Sequence, residues 1–188
     1  DLGDYLTEED GDEVAWSFAF PAADPTVSAP SWTVAAANYE LSMSATVRVD
    51  ARGQTVKEGG HILGAFVVDA QNPTVLGECR GVASPVDIQG NWLYFLNIYA
   101  NGNGEGIAVQ FYDADHEEIF PVQKQLAFAA NAVHGSPLDP LTLQAGYLGI
   151  GLDADDEVSV DIIDPTWVGT ETVLFIATDQ GTAGGHAD

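Results

Sequence analysis

Apolar and polar residues alternate along most of this chain with a period of two, which sends successive side chains to opposite faces of a strand. The clearest run follows Tyr39: Leu41, Met43, Ala45, Val47 and Val49 share one face, and Ser42, Ser44, Thr46 and Arg48 the other. Val14, Trp16, Phe18 and Phe20 alternate with small or polar residues in an earlier run that stops at Pro21. Further strands are predicted over 62–68, 75–82, 92–99, 107–112, 125–129, 141–152, 158–163 and 172–178. Turn signals separate them: Arg52-Gly53, Glu58-Gly59-Gly60, Asn72-Pro73, the Asn/Gly run 101–104, Asp113-Ala114-Asp115 and the acidic run 153–156. No window carries a sustained 3.6-residue apolar period with caps. Short strands at this spacing predict an all-β fold: an antiparallel β-sandwich, immunoglobulin-like or jelly-roll-like, with extra N- and C-terminal strands.

Two runs are apolar on both faces. The first, 92–99, predicts a central strand covered on both sides. The second, 172–178, admits two readings. It is the last strand of its own sheet, or it joins the 14–20 run in adding to a neighbouring subunit's sheet. In the second reading Val14, Trp16, Phe18, Phe20, Val173, Leu174, Phe175 and Ile176 are the assembly residues.

Composition sets the surroundings. Acids number 29 against 5 bases, a formal net charge of −24, and no base follows Lys124. Such a surface repels nucleic acid and anionic lipid, which require clustered Lys and Arg. It also repels itself unless salt or divalent cations screen it, the Debye length shrinking to ~3 Å at 1 M salt. A salt-adapted protein would show this balance, and so would an ordinary secreted acidic domain. No apolar run is long enough to span a bilayer. The start at Asp1 reads as a processed form, and the expected location is extracellular or at the cell surface. Residues 1–13 hold seven acids and no base, and read as an acidic leader. Residues 14–178 read as one sandwich domain and 179–188 as a tail.

Several pieces recur in a recognisable order. They are the Tyr39-Glu-Leu-Ser-Met43 lead-in, Gly64-Ala-Phe66, Gly77-Glu-Cys-Arg-Gly-Val82, Tyr94-Phe-Leu-Asn-Ile-Tyr99, Val109-Gln-Phe-Tyr-Asp113 and Gly135-Ser-Pro-Leu-Asp-Pro-Leu141. Together they make residues 38–143 resemble an extracellular β-sandwich repeat of large secreted, adhesin-like or filamentous surface proteins of Bacteroidota-like bacteria. The resemblance implies a structural or adhesive role and brings no catalytic residues with it; the flanks 1–37 and 144–188 lie outside it. Within the Gly-Glu-Cys-Arg-Gly piece a strand puts Glu78 and Arg80 on one face and Cys79 on the other. Cys79 is then expected in the core, and Glu78 and Arg80 are expected to hold a loop through a charge-assisted contact.

The inventory gives little to catalysis. No Gly-x-Ser-x-Gly elbow occurs. His61, His116, His134 and His186 lack zinc-motif spacing, and one cysteine builds no thiolate site. Paired carboxylates are too abundant to single out a glycosidase. The chain is therefore expected not to be an enzyme. Calcium is the one cofactor the acidic turns suggest, since hard cations take several oxygens from one turn. The candidates are Asp153, Asp155, Asp156 and Glu157, then Asp113 and Asp115 with Glu117 and Glu118, then the run 9–13. Trp32 and Trp167, flanked by prolines, are candidates for exposed platforms or intersubunit plugs. The reading that follows is a subunit of a surface filament or adhesive layer, with copies of itself or other surface proteins as partners. The alternative is a monomeric carbohydrate-binding or adhesion module.

Overall fold

The structure is a computed structural model that describes Leu2 and residues 14–21, 26–72 and 75–179. The acidic run 9–13, Pro73 and the segment 180–188 with His186 lie outside the described residues. The first strands are β1 (Val14–Ala19), β2 (Leu41–Ala51), β3 (Gln54–Thr55), β4 (Ile62–Val68) and β5 (Leu76–Ala83). There follow β6 (Pro85–Ile88), β7 (Asn91–Ala100), β8 (Gly106–Asp113), β9 (Glu118–Pro121) and β10 (Leu126–Ala127). The last are β11 (Val133–His134), β12 (Leu141–Ala145), β13 (Leu148–Leu152), β14 (Val158–Ile162) and β15 (Leu174–Asp179). The only helix among the described residues is a 3-10 turn at Ala36–Asn38.

The chain is all-β and sandwich-like. One sheet runs β11-β2-β7-β6, with β3 and β12 also on β2; the other runs β10-β8-β4-β5, with β9 also on β8. The alternation read in β2 is what the sandwich uses. Met43, Ala45, Val47 and Val49 point inward against Leu63 and Ala65 of β4, Ile107, Val109 and Phe111 of β8, and Leu96 and Ile98 of β7. Phe120 and Leu143, both fully buried, extend the same apolar cluster. Near 25 cal/mol per Å² of apolar surface removed from water, this cluster is the main favourable term for folding.

The sheets are joined at both sides. The chain leaves β5, paired with β4, turns at Ser84, and enters β6, paired with β7. Sheet-switching strands of this kind form the corners of packed sandwiches. On the other side Val122, just past β9, bridges Ala145 of β12. The pairings are antiparallel except that β11 and β12 run parallel to β2. Two further two-stranded ribbons stand outside the sandwich, β1 with β15 and β13 with β14.

Four findings differ from expectation. The 141–152 run is two strands, because Gly146 at φ +123° turns the chain. Strand β7 is central but only partly covered on its second face: Tyr94, Leu96 and Ile98 are fully buried, whereas on the opposite face Leu93 is buried and Phe95 is 43% exposed. The short strands β3, β6, β9 and β11 carry no alternation of their own to be read. Cys79 is half-buried rather than in the core. The pairing of β4 with β5 shifts register around Phe66, the partner of Cys79, and the thiol turns to the carbonyl of Gly81 at 3.5 Å. Burial still raises the thiol above its ordinary range, outweighing that hydrogen bond.

Gly81 ends the Gly-Glu-Cys-Arg-Gly piece for a steric reason. A Cβ there would lie 2.3 Å from the Asn97 carbonyl oxygen, so β5 reaches β7 only without a side chain. Gly81→Ala is expected to lower the unfolding free energy by about 1–3 kcal/mol, the usual range for overpacking. Gly102→Ala, where the nearest atom to a Cβ is 3.9 Å away, is expected to stay within about 0.5 kcal/mol of the parent. Urea titration of both variants checks the contrast.

Candidate functional site

The β2–β3 hairpin turns through Arg52 and Gly53, both with positive φ (51° and 88°), as a two-residue primed turn requires. This places the Arg52 side chain, 4% exposed as a residue, at the meeting point of several elements. Its guanidinium lies between two phenyl rings, 4.6 Å from the centroid of Phe20 and 4.3 Å from that of Phe120. One terminal nitrogen donates to Glu118 Oε2 at 2.8 Å, and Nε lies 3.5 Å from Glu171 Oε1 without a hydrogen bond. Burial raises both carboxyls above their ordinary range, with Arg52 opposing; the Asp113 charge adds to the rise at Glu118 and the Glu118 charge to that at Glu171.

Beside Arg52 opens a cleft of ≈ 460 Å³. Its walls come from Phe20 after β1, from the loop 54–58 that leads to His61, and from the turn 113–116 between β8 and β9. His61 and Asp113 are buried, at 3% and 5% exposure. The imidazole of His61 stacks on Phe111, centroids 5.4 Å apart, and Phe111 meets Tyr94 edge-on. Asp113 holds the turn: its Oδ1 accepts the Asp115 N–H at 3.0 Å, and its Oδ2 lies 2.8 Å from His116 Nδ1. His116 Nε2 in turn lies 3.0 Å from the Phe20 carbonyl oxygen. Burial by itself raises the Asp113 carboxyl, but the two imidazoles and the Asp115 N–H bring it down to about 2. Of the two, His116 is the firmer partner. His61 Nδ1 is 3.4 Å from Asp113 and also accepts the Ala114 N–H at 3.1 Å.

Across the cleft mouth, Glu58, His61 and Asp115 each present one ligand atom, all within 4.8 Å of one another. Among the described residues this is the one group of three carboxylate, imidazole or thiol side chains so arranged. Sequence reading missed it, because its members come from two loops separated by five strands, β4 to β8. The only local signal was a histidine directly after the Glu58-Gly59-Gly60 turn.

Comparison with protein-family models, curated proteins and solved structures finds no match to this chain. The site therefore rests on its own geometry.

The residues singled out in the sequence are dispersed. Asp153, Asp155, Asp156 and Glu157 lie on the β13–β14 turn and do not converge as a ligand group. Asp153 Oδ1 instead accepts the N–H groups of Asp155 and Glu157, both at 2.9 Å, closing its own turn. Asp113 and Asp115 are in the cleft, the first facing two imidazoles and the second the opening. Arg80 pairs with Glu105 at 3.0 Å, donates to the Tyr99 carbonyl at 3.3 Å, and sits 4.7 Å over the Tyr39 ring. Glu78 is 3.9 Å from Arg80 Nε and accepts the Tyr39 hydroxyl at 3.2 Å. Trp32 and Trp167 are half-buried. Trp32 packs edge-on against Phe66, and Trp167 stacks on Tyr147 at 5.1 Å. Val14, Trp16, Phe18 and Val173 lie on or beside the β1–β15 ribbon, half-buried, while Leu174, Phe175 and Ile176 are exposed. Phe20 leaves that ribbon to cover Arg52.

Two outcomes follow for the Arg52 cluster. Arg52→Ala strips a buried cation from two carboxylates, and the expected loss in a urea titration is about 3–5 kcal/mol. Glu171→Gln behaves differently. A folded-state pKa above the unfolded one favours the native state while the group is protonated and disfavours it once the group ionises. Parent and Glu171→Gln should therefore differ least below pH 4.5, and the parent should fall behind as pH rises through the raised Glu171 value. Thermal unfolding of both proteins from about pH 4 to 8 measures the divergence.

Proposed function

We propose that the chain is a non-catalytic structural module of an extracellular surface assembly, a filament or adhesive layer, joined to its neighbours by strand addition. One observation carries this reading, the concentration of exposed apolar side chains on the two outer ribbons. Val160 and Ile162 of β14 are 58% and 65% exposed, and Leu174 and Ile176 of β15 are 51% and 45%. Among the described residues, strand β14 pairs only with β13, and β1 and β15 pair only with each other. These strands keep open edges beside apolar side chains, the combination that recruits a further strand.

The sequence resemblance of residues 38–143 to surface-protein repeats supports the same reading. So does the acidic balance, which disfavours nucleic-acid partners. The ribbon readings also change in detail. Because β1 and β15 already pair within the chain, an added strand joins a free side of their ribbon, or of β14, rather than replacing either member.

A surface of formal charge −24 opposes self-association at low salt. Sedimentation and electron microscopy should thus find small species at about 0.05 M salt and ordered oligomers or fibres near 1 M, where screening is short-ranged. Val160→Asp and Ile176→Asp, each adding a charge to one ribbon, are expected to reduce assembly at high salt without altering the monomer's circular dichroism. A parent protein that stays monomeric at every salt concentration sinks the proposal.

A further inference from the structure

We propose that Glu58, His61 and Asp115 form a binding site for one divalent first-row transition-metal ion that ties the loop before β4 to the β8–β9 turn. Their ligand atoms lie within 4.8 Å of one another. Donors sharing an ion at about 2.1 Å stand roughly 3–3.5 Å apart. The gap closes by movement of Glu58, which is exposed, and of Asp115, whose side chain is half exposed. His61 need not move.

His61 is the independent sign of a ligand. It is 3% exposed, its ring is fixed by stacking on Phe111, and Nε2 is turned toward Asp115. The polar atom recorded nearest to Nε2 is Asp115 Oδ2 at 3.7 Å, beyond hydrogen-bond reach. With its proton moved to Nδ1, this imidazole edge and the two carboxylates make an electron-pair donor set for a cation. Behind the ring, Asp113 Oδ1 lies 3.4 Å from Nδ1, the carboxylate–histidine arrangement that orients metal-bound imidazoles. In the metal-free ring Nδ1 accepts the Ala114 N–H, which leaves the proton on Nε2. Binding selects the other tautomer: the proton moves to Nδ1, the Ala114 N–H gives up that nitrogen and turns to water in the cleft, Nδ1 donates to Asp113, and Nε2 takes the metal. No net proton is released from the ring.

The donor set chooses among cations. One imidazole with two carboxylates suits zinc and its first-row neighbours, whereas calcium and magnesium take oxygen ligands. The cleft leaves room for water at the remaining positions. With Glu58 on one loop and Asp115 on another, the bound ion adds a cross-link between segments far apart in sequence, so the role inferred is structural.

The test is calorimetric titration of the full, chelator-treated chain with zinc chloride in about 1 M salt and excess magnesium, which suppress diffuse binding to the acidic surface. Expected are one saturable zinc site and a melting temperature raised by about 5 °C or more at saturation, reversed by chelator. Glu58→Gln and Asp115→Asn each remove an exposed ligand and are expected to weaken zinc at least tenfold while leaving the metal-free melting temperature unchanged. Cobalt(II) in place of zinc should develop visible d–d absorption that both variants lose. Binding that magnesium or calcium displaces at comparable concentration, no saturable zinc binding, or variants that bind as the parent does would each overturn the proposal.

Discussion

A buried guanidinium holds this molecule's parts in register. The Arg52 backbone N–H donates to Ala145 and its carbonyl accepts from Ile150, which tie the β2–β3 turn to β12 and β13. Its side chain then reaches Glu118 in β9, Glu171 ahead of β15, and the rings of Phe20 and Phe120. One residue thus contacts the sandwich, the β13 ribbon and the β1–β15 ribbon. Its left-handed backbone (φ 51°) is unfavourable for a non-glycine residue, and the surrounding contacts keep it there. A planar cation suits this position because it stacks on aromatic faces while donating in its own plane, which lysine cannot do.

The same economy of positive charge recurs at Arg80, which joins the turn before β8 to the β7 carbonyl edge and the Tyr39 ring. Two of the five bases are thereby withdrawn from the surface. The excess of carboxylates therefore faces solvent with even less neutralisation than composition suggests. In the proposed assembly, acidity and apolar ribbons act in opposition, one keeping copies apart and the other drawing them together. Ionic strength decides between them.

The fold was largely legible because a period of two is a local signal. In β2 each alternate residue took the face its pattern assigned, and β4 runs over the predicted 62–68. What stayed hidden depends on tertiary context. The parallel pairing of β12 with β2, the bulge that draws Cys79 from the core, and the short strands β3 and β11 are set by neighbours far away in sequence. The candidate site was less legible still. Asp113 and Asp115 drew notice as an acidic turn, yet their meaning depends on His61, which β4 delivers to them from fifty residues away. Conversely, the acidic run 153–157 closes its own turn with backbone hydrogen bonds. Density of carboxylates along a chain says little about their convergence in space.

The pairing of β1 with β15 has a mechanical corollary. Val14 and Asp179 are Cα partners at one end of that ribbon, so the first residue of β1 and the last of β15 lie side by side. Tension drawing them apart acts across the strands, and the six residue pairs from Val14↔Asp179 to Ala19↔Leu174 open in sequence like a zipper. The core strands bear no load until that ribbon has opened. Pulled at these points, the chain would yield first at this ribbon, extending while its hydrophobic interior stays folded.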